Sequence, residues 1–475
     1  MAALGLALAA GCGDNTQDLF PGLVRVSGDS PFGMDCGNGQ RGNVFRALEV
    51  EPYVAVDPND PMHLVGAWQQ DRWANGGSNG LVTAVSFDGG ATWERSLVHF
   101  SFCTGGAPSN AGNFDRATDP WVTFGPGGTV YQIALAFDAT TARHAILASE
   151  STDGGRTWSE PVQLRFDNNR DVLNDKESIT ADPLDGRFVY AVWDRVTGRT
   201  APAQPIGTGP AYFARATAGV WETARPIYDP GVDTQTIGNV IVVLPDGGLV
   251  DLFVQIAKMS SETPETSIAL IRSADHGDTW SPPVEIAKFR PFNVRGPNDV
   301  LIRSGSEVAS FAVDRASGAL YAVWEDGRFS ALAGAAPLDG IAFSRSTDGG
   351  ATWSAPRQIN GDAAGAAFTP VVAIARDGAI GVTYYDLREQ RSASTPRVTA
   401  WLATSRDGGE TWAEERLTAA FELDPARIGE VYFLGDYQGL AASGDAFVPF
   451  FVGAGSQADV LVRPVCGGGA PCPAP

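Results

Sequence analysis

The sequence predicts an all-β protein built as a ring of short four-stranded sheets, on three observations. An octapeptide of the form S-x-D-x-G-x-T-W recurs five times. Its tryptophans, with one degenerate copy, are spaced by 65, 63, 59, 73 and 59 residues, a period that suits four short strands and their loops. The composition, with Gly 56 and Pro 31 but Met only 4, favours turns over helices. Length alone, 475 residues, would suggest about three domains. The repeat spreads over most of the chain and makes one ring the better reading. The net charge of −21 excludes a phosphate-backbone partner and disfavours docking on anionic lipid, so no nucleic acid is expected.

Taken in order, the chain begins with an apolar run, Ala2 to Ala10, too short to cross a bilayer and suited to the core of a signal peptide. Ala9-Ala10-Gly11-Cys12 resembles the end of a bacterial lipoprotein signal, which would lipidate Cys12. The expected organisation is a signal over 1–11, a tether over 12–19, the ring over 20–465 and a Gly/Pro-rich tail over 466–475. The protein is then exported, held at the cell surface or in the periplasm by a lipid or else secreted, and monomeric. Cys36, Cys103, Cys466 and Cys472 remain, with three possible disulfide connectivities. Cys466 and Cys472 enclose the tail and are read as one pair, leaving Cys36 with Cys103. His63, His99, His144 and His276 are scattered and there is no CxxC, so neither a metal site nor a cofactor is expected.

The five octapeptides start at Ser86, Ser151, Ser273, Ser346 and Ser405, and place Asp88, Asp153, Asp275, Asp348 and Asp407 at their third position. The degenerate copy, Ala214 to Trp221, fills the double gap between Trp158 and Trp280. In each repeat a first strand such as Tyr53-Val-Ala-Val56 ends in a turn. A second follows, such as Leu320-Tyr-Ala-Val-Trp324; a third enters the octapeptide, and a fourth begins at its tryptophan. The aspartate suits the turn as an acceptor of backbone N–H groups, the glycine permits positive φ, and the tryptophan buries roughly 150–250 Å² between sheets. These residues are therefore read as structural. After the last octapeptide come three strands without a fourth: Gly439–Ala442, Ala446–Val452 and Asp459–Val465. The segment Gly22 to Ser27 supplies the missing outer strand and closes the ring, giving seven blades, with six as the alternative.

Alternating strand directions put the octapeptide turns on one rim. The long loops lie on the other: 69–80, 100–118, 195–210, 288–305, 326–340, 386–396 and 419–434. Function is expected on that second rim. Acid–arginine pairs recur there at second-strand ends, Asp71-Arg72, Asp194-Arg195, Asp326-Gly-Arg328 and Asp386-Leu-Arg388, and inner strands add Glu51, Asp119, Glu177, Glu307 and Asp436. Two readings stand side by side: mutual ion pairing that neutralises the mouth, or a polar site for a sugar or carboxylate.

The octapeptide is the Asp-box, and through it the chain resembles the bacterial sialidase-like superfamily of BNR-repeat β-propellers. Phe45-Arg46-Ala-Leu48 looks like the family's F-R-I-P motif, whose arginine binds a sugar carboxylate; Arg72, Arg328 and Arg397 would complete the substrate-binding set. Asp436-Tyr437-Gln-Gly-Leu440 resembles the segment that carries the tyrosine nucleophile, with Glu307 as its activating carboxylate. The family's acid/base aspartate has no counterpart in Trp73 to Gly80, which holds no carboxylate, and Asp115 in the next loop is the substitute. A neutral tyrosine attacks an anomeric carbon beside a carboxylate with less repulsion than an acid would, and arginines grip that carboxylate bidentately. The resemblance thus implies an exo-sialidase-type glycoside hydrolase acting on extracellular glycans. The loss around residues 73–80 favours the alternative of a non-catalytic propeller that binds a glycan or surface protein. The literal G-x-S-x-G at Gly76 to Gly80 lacks a strand–turn–helix setting and is loop composition.

Overall fold

The computed structural model describes residues 20–37, 39–198, 207–330, 338–361, 365–390 and 394–465. The expected signal, tether and tail, with Cys12, Cys466 and Cys472, lie outside the described residues. Regular structure there is strand apart from four three-residue 3₁₀ turns. The first repeat pairs Val50–Asp57, Asp60–Trp73, Ser78–Ser86 and Glu94–Leu97 in sequence order, all antiparallel. The second pairs Arg116–Phe124, Val130–Phe137, Arg143–Ser151 and Val162–Asn168 in the same way. The third uses Val172–Ala181, Phe188–Thr197 and Ala211–Thr217, and splits its outer strand into Val220–Trp221 and Arg225–Tyr228. That split lies at the degenerate octapeptide. The fourth, fifth and sixth repeats follow the same order, with inner strands Thr234–Val243, Ser310–Val313 and Ala367–Ile374. The last sheet joins Gly439–Ser443, Ala446–Ala454 and Ala458–Val462, and Val24–Arg25 pairs antiparallel with its edge at Val462 and Leu461. Meandering antiparallel sheets of this kind, packed face to face, make a β-propeller.

Each sheet buries its two faces against its neighbours. Val65, Ala67 and Val85 of the first repeat meet Val122, Phe124 and Val130 of the second. Leu252 and Leu270 of the fourth pack with Phe311, Leu320 and Trp324 of the fifth. Val448, Phe450 and Val460 of the last sheet pack with Val54, Leu64 and Trp68 of the first. The octapeptide tryptophans are only half-buried. The fully buried ones are Trp68, Trp193 and Trp324, on second strands, where nothing in the octapeptide points to them. Each indole N–H there has an internal acceptor: Gln70, Asn174 and Asp326 at 3.0, 3.1 and 2.9 Å.

The octapeptide turns repeat their bonding closely. In the last, Asp407 accepts from Ser405 Oγ at 2.8 Å, from the Thr411 backbone N–H at 2.9 Å and from Thr411 Oγ1 at 2.5 Å, while Gly409 N–H donates to Ser405 Oγ at 2.9 Å. These bonds hold the Asp407 carboxyl well below the usual range, led by the Thr411 hydroxyl. The glycine is needed twice over: Gly409 sits at φ +91°, and a Cβ there would lie 2.3 Å from the Phe343 ring of the preceding repeat. The turn laps onto that neighbour, and Arg345 Nη1 donates to Gly408 O at 2.5 Å. At the first octapeptide the neighbour is the C-terminal sheet, whose Val465 N–H donates to Gly89 O at 2.8 Å.

Along the inner strands lies a second repeated device. Register shifts fall between Val50 and Tyr53, Thr118 and Trp121, Asp175 and Ser178, Ile237 and Val240, and Phe368 and Val371. Each bulge carries one left-handed residue: Glu51, Asp119, Lys176, Gly238 and Thr369, at φ between 48° and 65°. Bulges re-aim side chains out of the pleat.

Replacing Trp324 by alanine empties a fully buried site between two sheets and is expected to cost about 3–5 kcal/mol. Urea denaturation followed by circular dichroism measures it; a loss below about 1 kcal/mol would mean that these sheets do not depend on each other for their core.

Candidate functional site

Three of the left-handed residues meet. The Lys176 ammonium donates to Asp119 Oδ1 at 2.6 Å and to Asp436 Oδ2 at 2.8 Å, and lies 3.6 Å from Glu51 Oε1. Four strand sets thus contribute to one charge cluster. Arg303, from the long loop before the fifth repeat, grips Asp436 bidentately, with Nε to Oδ1 at 2.8 Å. Glu51 accepts from Gln69 Nε2 and from the Asp436 backbone N–H at 3.3 Å. Arg72 is buried beside it, donating to Gln69 Oε1 at 2.7 Å and lying 5.1 Å over the Phe433 ring.

The cluster separates its carboxyls electrostatically. Burial, followed by the repulsion of Asp119 and Asp436 and offset in part by Lys176, raises Glu51 to about 7. Burial alone would also raise Asp436, but Lys176 and Arg303 hold it well below the usual carboxylate range. Lys176 loses by burial and gains more from Asp119, Asp436, Glu51 and Asp175, so its pKa ends well above its ordinary value. At neutral pH a carboxyl that still exchanges its proton therefore stands beside one that is permanently ionised, the pairing that acid–base chemistry uses.

Above this cluster opens a cleft of about 530 Å³. Glu51, Arg72, Asp119, Asp175, Lys176 and Arg303 line its floor. Its walls come from Gly76–Gly77, from the turn 137–143 carrying Asp138 and Arg143, and from Asn169–Arg170. Those segments link second to third strands or one repeat to the next, which puts the cleft on the long-loop rim. The turn 137–143 is short, and loop length gave no signal for it.

Of the residues singled out as a substrate clamp, only Arg72 lines this cleft. Arg46 donates to the carbonyls of Gly33, Met34 and Cys36 and sits 3.6 Å from Asp71, tying down the N-terminal loop. Arg328 is engaged with Asp326 at 2.6 Å and with the Lys288 carbonyl. Arg397 donates to Ala420 O at 2.9 Å. Each is held by its own strand set, so the four do not form one clamp. Asp115 accepts from the Ala139 N–H at 2.9 Å and caps a loop. The Tyr437 hydroxyl donates to the Pro120 carbonyl at 3.3 Å, and its ring faces an inner cavity beyond Lys176. Glu307 is exposed, raised by partial burial and by Asp436, and makes no hydrogen bond to Tyr437 among the described residues.

Two of the four acid–arginine pairs close on themselves, Asp326 with Arg328 and Asp386 with Arg388; Arg72 and Arg195 turn to other partners. Arg388 pairs with Asp386 and, at 2.9 Å, with Glu414; Arg195 reaches Asp167 at 2.7 Å. Lys176 and Arg303 had no part in the motif-based set. The one available hint was rarity: Lys176 is one of three lysines in the chain. Cys36 and Cys103, with Cα atoms 5.7 Å apart, are disulfide-bonded and join the N-terminal loop to the loop before the second repeat.

No family model matches the chain, and no curated protein matches it. Among solved structures it is similar to a Hadza microbial sialidase, at 16% identity and a TM-score of 0.46, over 74% of this chain and 65% of that one. It thus spans just under two thirds of that sialidase's length. A protein of unknown function from Dyadobacter fermentans is similar at 15% identity and a TM-score of 0.45, over 93% and 98% of the two chains. An α-L-arabinanase from Penicillium chrysogenum follows at 12% and 0.44, over 73% and 93%. At this identity and these scores the likenesses assign neither activity nor substrate. The class that the sheets and the site define is a β-propeller with a charged cleft on its long-loop rim.

Two outcomes follow for stability. Glu51, at about 7, and Asp339, raised by burial to about 6, titrate above their unfolded values of roughly 4. Folding therefore takes up protons, and their stabilisation is complete below pH about 4 and is lost as pH rises through 6 to 7. Asp153 and Asp275, lowered to about 2 chiefly by their threonine hydroxyls, act oppositely and are lost only as pH falls from about 4 towards 2. Scanning calorimetry should show Tm falling between pH 5 and 8, with Glu51→Gln flattening that slope; a rise over the same range rules the scheme out. Lys176→Met leaves Asp119 and Asp436 buried without their shared cation and should cost about 3–5 kcal/mol by chemical denaturation.

Proposed function

We propose that this protein is a seven-bladed, exported β-propeller that binds an acidic glycan in the cleft on its long-loop rim. The count of seven is supported by seven strand sets with their own inner strands, by Val24–Arg25 on the edge of the last set, and by the core shared between the last and first sets. Export, a lipid tether at Cys12 and a monomeric state rest on the sequence alone and belong to the same proposal.

The observation that carries the binding reading is Arg303. Its side chain is about half exposed, at 46%, yet its guanidinium is fixed by Asp436 and stacked 4.6 Å over Phe433 in the lining of a sugar-sized cleft. With Nε and Nη2 on Asp436, the Nη1 side of the guanidinium keeps donors for a carboxylate or sulfate on a sugar. Binding without tyrosine-based cleavage is favoured because the Tyr437 hydroxyl is spent on Pro120 O and lies on the far side of Lys176 from the cleft.

Calorimetric titration with sialyllactose and with a uronic-acid oligosaccharide tests the reading, alongside release of a fluorogenic sialoside. Saturable binding of at least one acidic sugar is expected, weakened about tenfold or more by Arg303→Ala, with no turnover. Turnover lost in Tyr437→Phe would restore the exo-sialidase reading. Binding that is indifferent to Arg303→Ala would move the site elsewhere.

A further inference from the structure

Beyond Lys176 lies a second cavity, of about 80 Å³, several times the roughly 10–15 Å³ that one water needs. Lys176 lines both spaces and separates them. The inner one is walled by the rings of Tyr53, Trp121, Tyr437 and Phe311. Tyr53 stacks on Trp121 with centroids 3.7 Å apart, and Trp121 lies 5.9 Å from Tyr437.

The polar groups in this wall are unevenly satisfied. Donors are largely spent: Tyr437 O–H on Pro120 O, Gln438 Nε2 on Thr369 O at 2.6 Å, Ser178 Oγ on Asn239 O at 2.8 Å, and Asn239 Nδ2 on Thr236 Oγ1 at 3.2 Å. Lys176 is held by its carboxylates. Ser310 accepts from the Val372 N–H and keeps one hydroxyl proton. Acceptors are left over. Both carboxylate oxygens of Glu177, a residue 2% exposed, and Oδ1 of Asn239, 0% exposed, have no partner among the described residues, apart from the approach of Glu177's own backbone N–H. Buried acceptors in this state call for a donor.

We propose that this inner cavity binds a small primary alkylammonium ion. Its three N–H donors match the two Glu177 oxygens and Asn239 Oδ1, and its alkyl chain lies against the aromatic walls, where a cation over a ring face gains further. A hard divalent ion fits less well, because it takes six or more oxygens and usually several carboxylates, whereas Glu177 is the one carboxylate here not already committed to a cation, and the walls are mainly carbon. Burial, with Asp119 and Asp175 nearby and opposed by its own backbone N–H and Lys176, raises the Glu177 carboxyl well above its usual range. A bound ammonium draws the carboxyl back towards its ionised form: any proton that Glu177 carries leaves to solvent, and the carboxylate oxygens accept the N–H donors.

Titration of the full chain with propylammonium chloride at pH 7, in two buffers of different ionisation enthalpy, tests this. One saturable site is expected, with release of up to one proton and affinity rising with pH. Glu177→Gln should weaken binding tenfold or more while keeping a cooperative thermal transition; if it does not fold, Asn239→Asp, which adds a second carboxylate, should tighten binding. Absence of propylammonium binding overturns the proposal. So does unchanged binding in Glu177→Gln, or calcium chloride titrating the site with the same Glu177 dependence in place of the amine. Arg303→Ala reports on the glycan cleft separately, so the two readings fail independently.

Discussion

The Lys176 ammonium carries much of the interior. It comes from the third repeat and bonds carboxylates of the second repeat and of the C-terminal segment, with Glu51 of the first close by. A chain of net charge −21 that directs acids inward from several strands needs a cation where they converge. Without one, Asp119 would be buried with no cation and Asp436 would keep only Arg303, and an unpaired buried ion costs several kcal/mol. The same cation lowers Asp436, leaves Glu51 near neutrality and divides the axial space into an outer cleft and an inner cavity. Site and fold are thus tied at one nitrogen.

Around that centre the sheets are joined by a periodic device. Each octapeptide turn satisfies itself with serine, aspartate and threonine and then presses a glycine against the preceding sheet, close enough that a methyl group would meet Phe343 or, at Gly277, Phe213. The inner bulges do the complementary work. A strand that kept its pleat would send alternate side chains into the faces; the left-handed residue turns one out of that alternation, which is how Glu51, Asp119 and Lys176 come to share a site.

The strand order, the octapeptide turns, the edge strand at Val24–Arg25 and the rim that carries the cleft were legible because each is a local or periodic property. The clamp was not. Arg46, Arg328 and Arg397 sit in motif-like surroundings, yet each guanidinium is tied to a carbonyl or to the aspartate two residues before it. Those local bonds point the three guanidiniums into different strand sets, away from one shared ligand. The Tyr437 hydroxyl, which the resemblance casts as a nucleophile, donates to the Pro120 carbonyl.

By itself, the sequence determined the unit: four short strands, a glycine turn, a tryptophan, and a period near 60 residues, all written in contacts between residues close along the chain. Tertiary structure alone decided which charges meet. Lys176 and Asp436 are 260 positions apart, and Arg303 and Asp436 are 133 apart. No spacing rule reaches across such separations, because they are set by how sheets pack around an axis. The pKa values that give the cleft its chemistry arise from burial and from those distant partners, neither of which exists until the sheets have assembled.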